Sequence, residues 1–580
     1  MKQTIFKIVL ATVMLLGTTG CGDKKVSTED RKVAFDTKIN TLKNAGFDIN
    51  QSQEGNYILH INNSKKAALT MLSLVDMATL DAQALTSISE VIDGARIGIE
   101  VDWNKYGSNA ERSVFIYYIG NGKEIKTVQK MLLEKKIGAY LSFDENDALI
   151  RADIKDIDEK LSSGSDVIHL SLKSAGIKID ETATKDSPLV EYVLNAGEFN
   201  VEVKEKDSKV FALGYKDLSC SIARTAPYLG KWNCKFPLMQ IDVDDDGETV
   251  SVAFKDTMLE YMTTLNAKKI KADILFVMPN INIEVKDGEK DITVHLKDLK
   301  IAGNSDNADE TLIKEIYKMA GTAPKDHNET FTKYMKLVGE LMGSGVTYDF
   351  KMSLASIDGK ATEDSNVTRF MLKDYEGEAK GSLDKTINYT TSTKIKLISA
   401  KQEKANTLIF ELKGFKFGYE IKDLYNFFPV FMEFAAMTAN KSPDDYQLSK
   451  EEQQKMTAIG HQIVNGGLGL SFSPVGIDSM MLNDGKNNMS YEKIDLSINA
   501  TLVQNTLKLD SPMAAMMLLQ YLQADGRLEL SKKDLDQMSA SSPPQMMAIV
   551  MVSAKYEGDK AVFVIKFEKG RLMVNGKPVM

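Results

Sequence analysis

Apolar and polar positions along the chain fall into two textures. The first is strict alternation. Ile97, Ile99 and Val101 alternate with Gly98, Glu100 and Asp102 and lead into Trp103. Residues 281–285 and 292–296 alternate likewise and bracket Asp287-Gly288. An Asp-Gly pair tolerates the positive φ angles of tight hairpin turns. The same kind of turn is predicted at Asp93-Gly94, Asp246-Gly247, Asp358-Gly359, Asp484-Gly485 and Asn575-Gly576, and further strands at 494–502 and 561–567. A period of two buries one face of a sheet and wets the other. The second texture is the amphipathic helix. Ser64 suits the N-cap of a helix over 65–92. Ser449-Lys450-Glu451-Glu452 has the spacing of a capping box before Met456, Ile459 and Ile463. Ser511-Pro512 reads as an N-cap with proline at the first helical position. Other helices are predicted at 256–266, 311–319, 329–342 and 422–439. In the last, Leu424, Phe427, Phe428 and Phe431 form one stripe at i, i+3, i+4, i+7, widened by Tyr425, Met432 and Phe434, with a kink expected at Pro429.

Two stretches share one order. Residues 331–342 precede Gly343-Ser344-Gly345, an alternating strand and Asp358-Gly359-Lys360. Residues 453–465 precede Gly466-Gly467, an alternating strand and Asp484-Gly485-Lys486. They suggest helix-plus-hairpin units added to a growing sheet. The expected class is therefore α+β: a mostly antiparallel, long, twisted and curved β-sheet built from hairpins, amphipathic helices packed on one face, and an elongated molecule. A cluster of Asn, Ser and Asp at 303–310 suggests a division into an N-terminal α+β region (31–303) and a C-terminal one with helix-hairpin units (304–580).

The start of the chain follows neither texture. Lys2 and Lys7 flank a short positive segment, residues 8–16 are apolar, and Gly17-Thr18-Thr19-Gly20 leads to Cys21. That is the layout of a secretory signal peptide. Its apolar run is far shorter than the roughly 20 residues of a membrane-spanning helix. Residues 1–20 resemble a bacterial lipoprotein signal, in which cleavage before cysteine frees its thiol to carry a lipid, although Thr18 stands where leucine is usual. An ordinary cleaved signal and an uncleaved anchor are the alternatives. Lipidation at Cys21 is favoured, with residues 21–30 as a polar tether. Gly22 follows the cysteine, so the inner-membrane retention signal of enteric bacteria is absent, which leans towards the outer membrane. Asp76, Asp81 and Glu90 interrupt the next apolar stretch, over 67–92, and at about 3 kcal/mol per charge they exclude a span there.

About 560 residues then remain, enough for more than one domain. A net charge of -9 with interspersed signs excludes the basic stripe of a nucleic-acid binder. Besides Cys21, the only cysteines are Cys220 and Cys234. They are either two free thiols or a pair. An oxidising envelope and the Gly/Pro punctuation at Pro227, Gly230 and Pro237 favour the disulfide.

Candidate chemistry is sparse. Asp242-Val243-Asp244-Asp245-Asp246-Gly247 begins like a calcium loop, yet Ala253 stands where the bidentate glutamate belongs, so an acidic hairpin turn is the better reading. His60, His169, His295, His327 and His461 are scattered without metal-ligand spacing. Ser382-Leu383-Asp384-Lys385 and Ser490-Tyr491-Glu492-Lys493 match Ser-x-x-Lys, but in strand or turn texture, where the two side chains do not meet. There is no nucleophile elbow, dinucleotide fingerprint or phosphate loop, so no catalytic residue, metal or cofactor is assigned. The 29 methionines are unusual, and Met513, Met516 and Met517 cluster, as do Met546, Met547 and Met551. Methionine lines adaptable apolar surfaces. Core packing is the bland alternative for the methionines and for the Leu424–Phe431 stripe.

The C-terminal end reads Lys555-Tyr556-Glu557-Gly558-Asp559, a strand, then Phe567-Glu568-Lys569-Gly570-Arg571-Leu572-Met573-Val574-Asn575-Gly576-Lys577-Pro578. This resembles the ending of the YdgA-type family of bacterial envelope proteins, a family without assigned function. The resemblance covers only 555–578. Members usually begin with an uncleaved anchor, where this chain has a lipobox-like cysteine, and carry an aromatic-Arg-Gly motif early in the body that is not found here. It implies an envelope location and a shared fold, and it supplies no catalytic residues. Together these readings predict a non-enzymatic envelope lipoprotein facing the periplasm. Its body would bind a partner protein or an apolar ligand, a lipid among them, through Leu424, Phe427, Phe428, Phe431, Met513, Met516 and Met517. An envelope hydrolase using paired carboxylates and a structural spacer are the alternatives.

Overall fold

A computed structural model describes residues 27–579, apart from 68–88, 90–93, 109–110, 120–137, 146–148, 164–165, 182–189, 206–207, 227, 246, 289, 321–326, 364–365, 404–406, 439–448, 484–487, 508–512 and 542–552. The leader, Cys21, most of the predicted 65–92 helix, the Ser511-Pro512 cap and the Met546–Met551 cluster lie outside the described residues. The chain forms two compact units, Met1–Met262 with Tyr317–Lys325, and Thr263–Ile316 with Asp326–Met580. The predicted boundary, 303–310, is instead the continuous end of one strand and the start of a helix.

The first unit opens with helix α1 (Thr28–Thr41), capped by the Ser27 hydroxyl, which accepts the Asp30 N–H. Phe35, Ile39 and Leu42 fall on one face of the turn and are all but fully buried. They pack on short antiparallel strands: β1 (Phe47–Gln53), β2 (Asn56–Ile61), β3 (Arg96–Val101), β4 (Val114–Tyr118), β5 (Gly138–Phe143) and β6 (Leu149–Ile154). In β2 the buried residues Tyr57, Leu59 and Ile61 alternate with less buried ones, as the period of two requires. Phe35 sits against Tyr57, Trp103 and Tyr106, with ring centroids 5.7–5.8 Å apart. Next come β7 (Ile157–Ser163), β8 (Asp166–Lys173) and β9 (Gly176–Glu181). β8 and β9 pair with successive halves of the long β10 (Val190–Glu205). Strands β11 (Ser208–Ala226), β12 (Leu229–Asp245) and β13 (Glu248–Asn266) follow.

The second unit is an antiparallel ladder in chain order: β14 (Lys269–Asp287), β15 (Lys290–Asp309), β16 (Val346–Glu363), β17 (Asn366–Leu383), β18 (Thr386–Gln402) and β19 (Thr407–Tyr425). It continues through β20 (Leu468–Ile477), β21 (Ser479–Asn483), β22 (Asn488–Tyr491), β23 (Ile494–Leu502), β24 (Leu522–Ser531), β25 (Lys555–Glu557), β26 (Lys560–Glu568), β27 (Arg571–Val574) and β28 (Lys577–Pro578). The helices are connections. α2 (Glu310–Ala320) follows β15, α3 (His327–Met342) leads into β16, α4 (Phe428–Thr438) and α5 (Lys450–Gly466) join β19 to β20, and α6 (Ala514–Leu518) joins β23 to β24. α7 (Lys532–Ser541) leaves the opposite end of β24. The Ser449–Glu452 capping box forms as predicted at the start of α5. α3 crosses α4 closely at Gly339, where an added Cβ would meet Pro429 Cα at 3.1 Å.

Three predicted elements differ. Residues 256–266 are strand, not helix, because Thr257, Leu259, Tyr261, Thr263 and Leu265 fit a period of two as well as 258, 259, 262 and 265 fit a helix. Large and β-branched residues then favour the sheet. Residues 422–439 are a strand end followed by a helix. β19 runs to Tyr425 and α4 starts at Phe428. Asp358-Gly359 is not a turn. β16 passes straight through it, paired on both sides, and the Phe370 ring occupies the space above Gly359.

Candidate functional site

The long strands carry a device that the alternation alone does not announce. In the second unit, Asp298 (φ +54), Asp374 (φ +50) and Gly414 (φ +62) take the left-handed conformation in the middle of β15, β17 and β19. Each follows a lysine: Lys297, Lys373 and Lys413. The register does not slip there, since Leu354↔Tyr375 and Ser356↔Lys373 are paired on either side of Asp374. The facing does slip. Lys297 and Asp298 are both exposed, while Leu296 and Leu299 on either side of them turn away from solvent. Two successive residues thus face outward, and the strand is deflected there by the left-handed residue. Asp217 (φ +53) after Lys216 in β11 and Asp256 (φ +55) after Lys255 in β13 do the same in the first unit.

Because facing slips with the bend, one apolar face continues through it. Below the bend in the second unit, one row reads Ile281, Leu296, Ile357, Leu372, Ile398, Leu412 and Met480 across seven strands. Above it, another reads Phe276, Ile301, Met352, Gly377, Thr393, Phe417 and Val475. None of these residues is charged. The opposite face carries the charges: Glu378 pairs with Lys380 at 2.6 Å and Lys351 at 3.5 Å, and Lys380 also reaches Asp349 at 3.4 Å. The Lys380 hydrogen bond holds the Glu378 carboxyl below its usual pKa. At such exposed positions these pairs contribute little stability.

The apolar face is buried near the bend and again at Leu383 and Ile387 beside the β17–β18 turn. Leu299 and Leu354 are 9% and 6% exposed, whereas Phe350 and Phe370, on the rows further out, are each 41% exposed. Phe472 and Leu482 are also exposed. Several rings lie flat. The Phe350 ring covers Gly303, Phe370 covers Gly359 and Tyr348 covers Gly381, so the glycines make room for cross-strand aromatics. At the upper margin three phenols cluster. Tyr389 lies 6.4 Å from Tyr348 and 5.3 Å from Tyr419, ring centre to ring centre. Burial, and then the Tyr389 hydroxyl hydrogen-bonded beside it, pushes the Tyr419 pKa up. Burial, then Tyr389 and Tyr419, does the same for Tyr348. Tyr348 and Tyr419 therefore hold their protons more tightly than an exposed phenol.

The residues expected to form an apolar surface are divided between elements. Leu424 is in β19, opposite the buried Ile387. Phe427 precedes α4 and stacks on Phe428 at 5.0 Å. Of the stripe, only Phe431 is exposed, beyond two-fifths of its surface. The i, i+7 stripe is thus not one helical face, because Asn426 stops the strand and starts the helix. Its Nδ2 donates to Met342 O at 2.9 Å and Asp384 O at 2.6 Å, and its Oδ1 accepts the Phe428 N–H. Met513, Met516 and Met517 lie at α6 and are exposed, Met516 at 69%. Cys220 and Cys234 stand directly opposite on β11 and β12, Cα atoms 4.0 Å apart, and their sulfurs are bonded.

The remaining candidates lead elsewhere. Asp242, the first residue of the acidic stretch, belongs to a hairpin formed by β12 and β13. It lies in β12, accepts from Gln240 and Ser251, and β13 resumes at Glu248. His169 pairs with Asp158 at 2.7 Å and His295 with Asn282 at 2.8 Å, both across strands. Both Ser-x-x-Lys matches begin in strands and run out of them, Ser382 in β17 and Ser490 in β22. Among the described residues no group of three His, Cys, Asp or Glu converges on one point. A shallow depression of about 350 Å³ on the charged face of the first unit holds Glu202 and Asp242, but Glu202 is engaged by Lys204 and Asp242 as above. No helix among the described residues is long and apolar enough to cross a membrane. Comparison with protein-family models, with curated proteins and with solved structures finds no match.

Proposed function

We propose that the chain is an exported bacterial envelope lipoprotein of the YdgA type. It is held at a membrane by a lipid on Cys21, and the apolar face of its bent, hairpin-built sheet binds an apolar ligand. The leader and the 555–578 resemblance support export and family. One structural observation carries the binding reading: in the second unit an apolar face several strands wide is left uncovered at Phe350, Phe370, Phe472 and Leu482. Monomeric soluble proteins rarely leave contiguous apolar surface of this kind without using it. Its lack of charges, beside an opposite face rich in ion pairs, favours a ligand that brings apolar surface. The long antiparallel sheet is curved, which suits an extended ligand. The test is organic extraction of the full chain purified from envelopes, followed by mass spectrometry. Stoichiometric apolar compound is expected, absent from an unrelated exported control. A blank from folded protein would remove the reading. Anchoring is tested separately, since Cys21→Ala should abolish lipid modification and release the chain from membranes.

A second reading, docking of an envelope protein, rests on the exposed Met513, Met516 and Met517 at α6. Methionine adapts to varied partners. Replacing all three with Ser should leave ligand content unchanged and abolish co-purification of any partner. Unchanged co-purification would sink it.

A further inference from the structure

The uncovered face of the second unit is not uniformly apolar, and its polarity has a direction. At the upper margin the rings of Tyr348, Tyr389 and Tyr419 cluster, with the Tyr389 and Tyr419 hydroxyls hydrogen-bonded to each other. From there to the bend at Ile395 the face presents Thr391 and Thr393 on β18, Ala379 and Gly377 on β17, and Phe350 and Met352 on β16 as one wall. No charged residue stands on this path. Six residues of strand separate Tyr389 from Ile395, roughly 20 Å. One bilayer leaflet, the length of one acyl chain, is roughly 15 Å.

We infer that this path takes the acyl chain of a membrane phospholipid, with its ester head at the tyrosine hydroxyls and its methyl end at the bend. The inference rests on the apolar-ligand reading and adds the class, the place and the orientation of the ligand. The match of polarities argues for it: three tyrosine side chains at one end bring hydroxyl donors for ester oxygens, and only apolar or hydroxylated side chains follow. A polypeptide occupant fits less well. β17 and β18 are hydrogen-bonded on both sides, so no free strand edge is offered for β-addition.

The full chain would be incubated with phosphatidylethanolamine–phosphatidylglycerol vesicles containing a phospholipid with a photoreactive group at one of two depths. Labelled peptides would then be mapped by mass spectrometry. A group near the methyl end should label the neighbourhood of Tyr375 and Ile395, and a group near the glycerol the neighbourhood of Tyr389. Tyr348→Phe/Tyr389→Phe/Tyr419→Phe should weaken labelling at least about tenfold, the effect of one or two lost hydrogen bonds. Phe350→Asp, at a position exposed enough to tolerate it, should abolish labelling. Lys351→Ala, its neighbour on the charged face, should not change it. Labelling elsewhere, reversed depths or a triple Phe variant with unchanged labelling would overturn the inference and leave the apolar-ligand reading standing. Self-association through this face that excludes lipid would also overturn it. No labelling, with extraction also blank, would overturn both.

Discussion

Asn426 shows how one side chain can settle a local fold. It is 4% exposed, and its amide meets the end of α3, the β17–β18 turn and the start of α4 together. Nothing in the 422–439 pattern marks it, because a helical reading needs only apolar spacing. Asn426→Ala should lower the unfolding free energy by roughly 2–3 kcal/mol, since it removes three hydrogen bonds and leaves buried carbonyls unpaired. A urea titration measures this, and a loss below half a kcal/mol would deny the amide its role. Tyr57 offers a pH test. It is 4% exposed and its hydroxyl donates to Asp36 at 2.5 Å. Burial, then the Asp36 carboxylate, raises its pKa far above the usual phenol value of 10.0. The folded chain thus holds this proton more tightly than the unfolded chain. Its contribution is complete below the unfolded value and is lost as pH rises past about 10. Tyr57→Phe should make the alkaline fall in stability shallower. It will not remove it, because burial also raises Tyr215, Tyr261, Tyr348 and Tyr419.

At the scale of elements, the Lys-Asp/Gly step decides how the long strands bend. It was legible in principle. Tyr215-Lys216-Asp217-Leu218, Leu296-Lys297-Asp298-Leu299, Leu372-Lys373-Asp374-Tyr375 and Leu412-Lys413-Gly414-Phe415 share one form, and Phe254-Lys255-Asp256-Thr257 is close to it. The interval is about 40 residues, within the range of structural repeats, doubled where α2 and α3 are inserted. Asp-Gly pairs are a poorer guide to the repeat, because Asp358-Gly359 lies inside β16 and not at a turn. Aspartate and glycine recur because the left-handed conformation strains them less than it strains other residues. Asp374→Gly should therefore be tolerated, whereas Asp374→Val should cost about 1–2 kcal/mol. The ion pair of Asp374 with Lys396 is exposed and contributes little to either change. Equal melting temperatures for the two variants would remove the conformational explanation.

At the scale of the whole molecule, the two compact units differ in how they are held. The first has a dry core of α1 and short strands, and the Cys220–Cys234 bond, with a separation of 14 residues, fastens two of its long strands. Replacing both cysteines with serine should lower stability by about 2–4 kcal/mol. Thiol titration of the unfolded, unreduced protein should find the pair unreactive in the wild-type chain, and two free thiols there would contradict the bond. Among the described residues of the second unit, one small buried cluster forms around Leu530, Leu535, Ala561 and Phe563, and other buried side chains such as Leu354 and Ile387 lie along the sheet. Its long strands depend chiefly on their ladders and on an apolar face that remains partly wet.

The sequence alone determined the antiparallel texture, the hairpin turns at Asp287-Gly288 and Asn575-Gly576 and the α5 capping box, because each is a matter of neighbours along the chain. Leu424, Phe427, Phe428 and Phe431 could not be placed that way, since their spacing fits a helix and their surroundings impose a strand end. Nor could the exposed face be found from any one segment. It is assembled from residues 276 to 482, brought into rows by cross-strand register, and kept on one side by single left-handed residues. Which rows are covered depends on what packs against them, and that is decided only when distant segments of the chain meet.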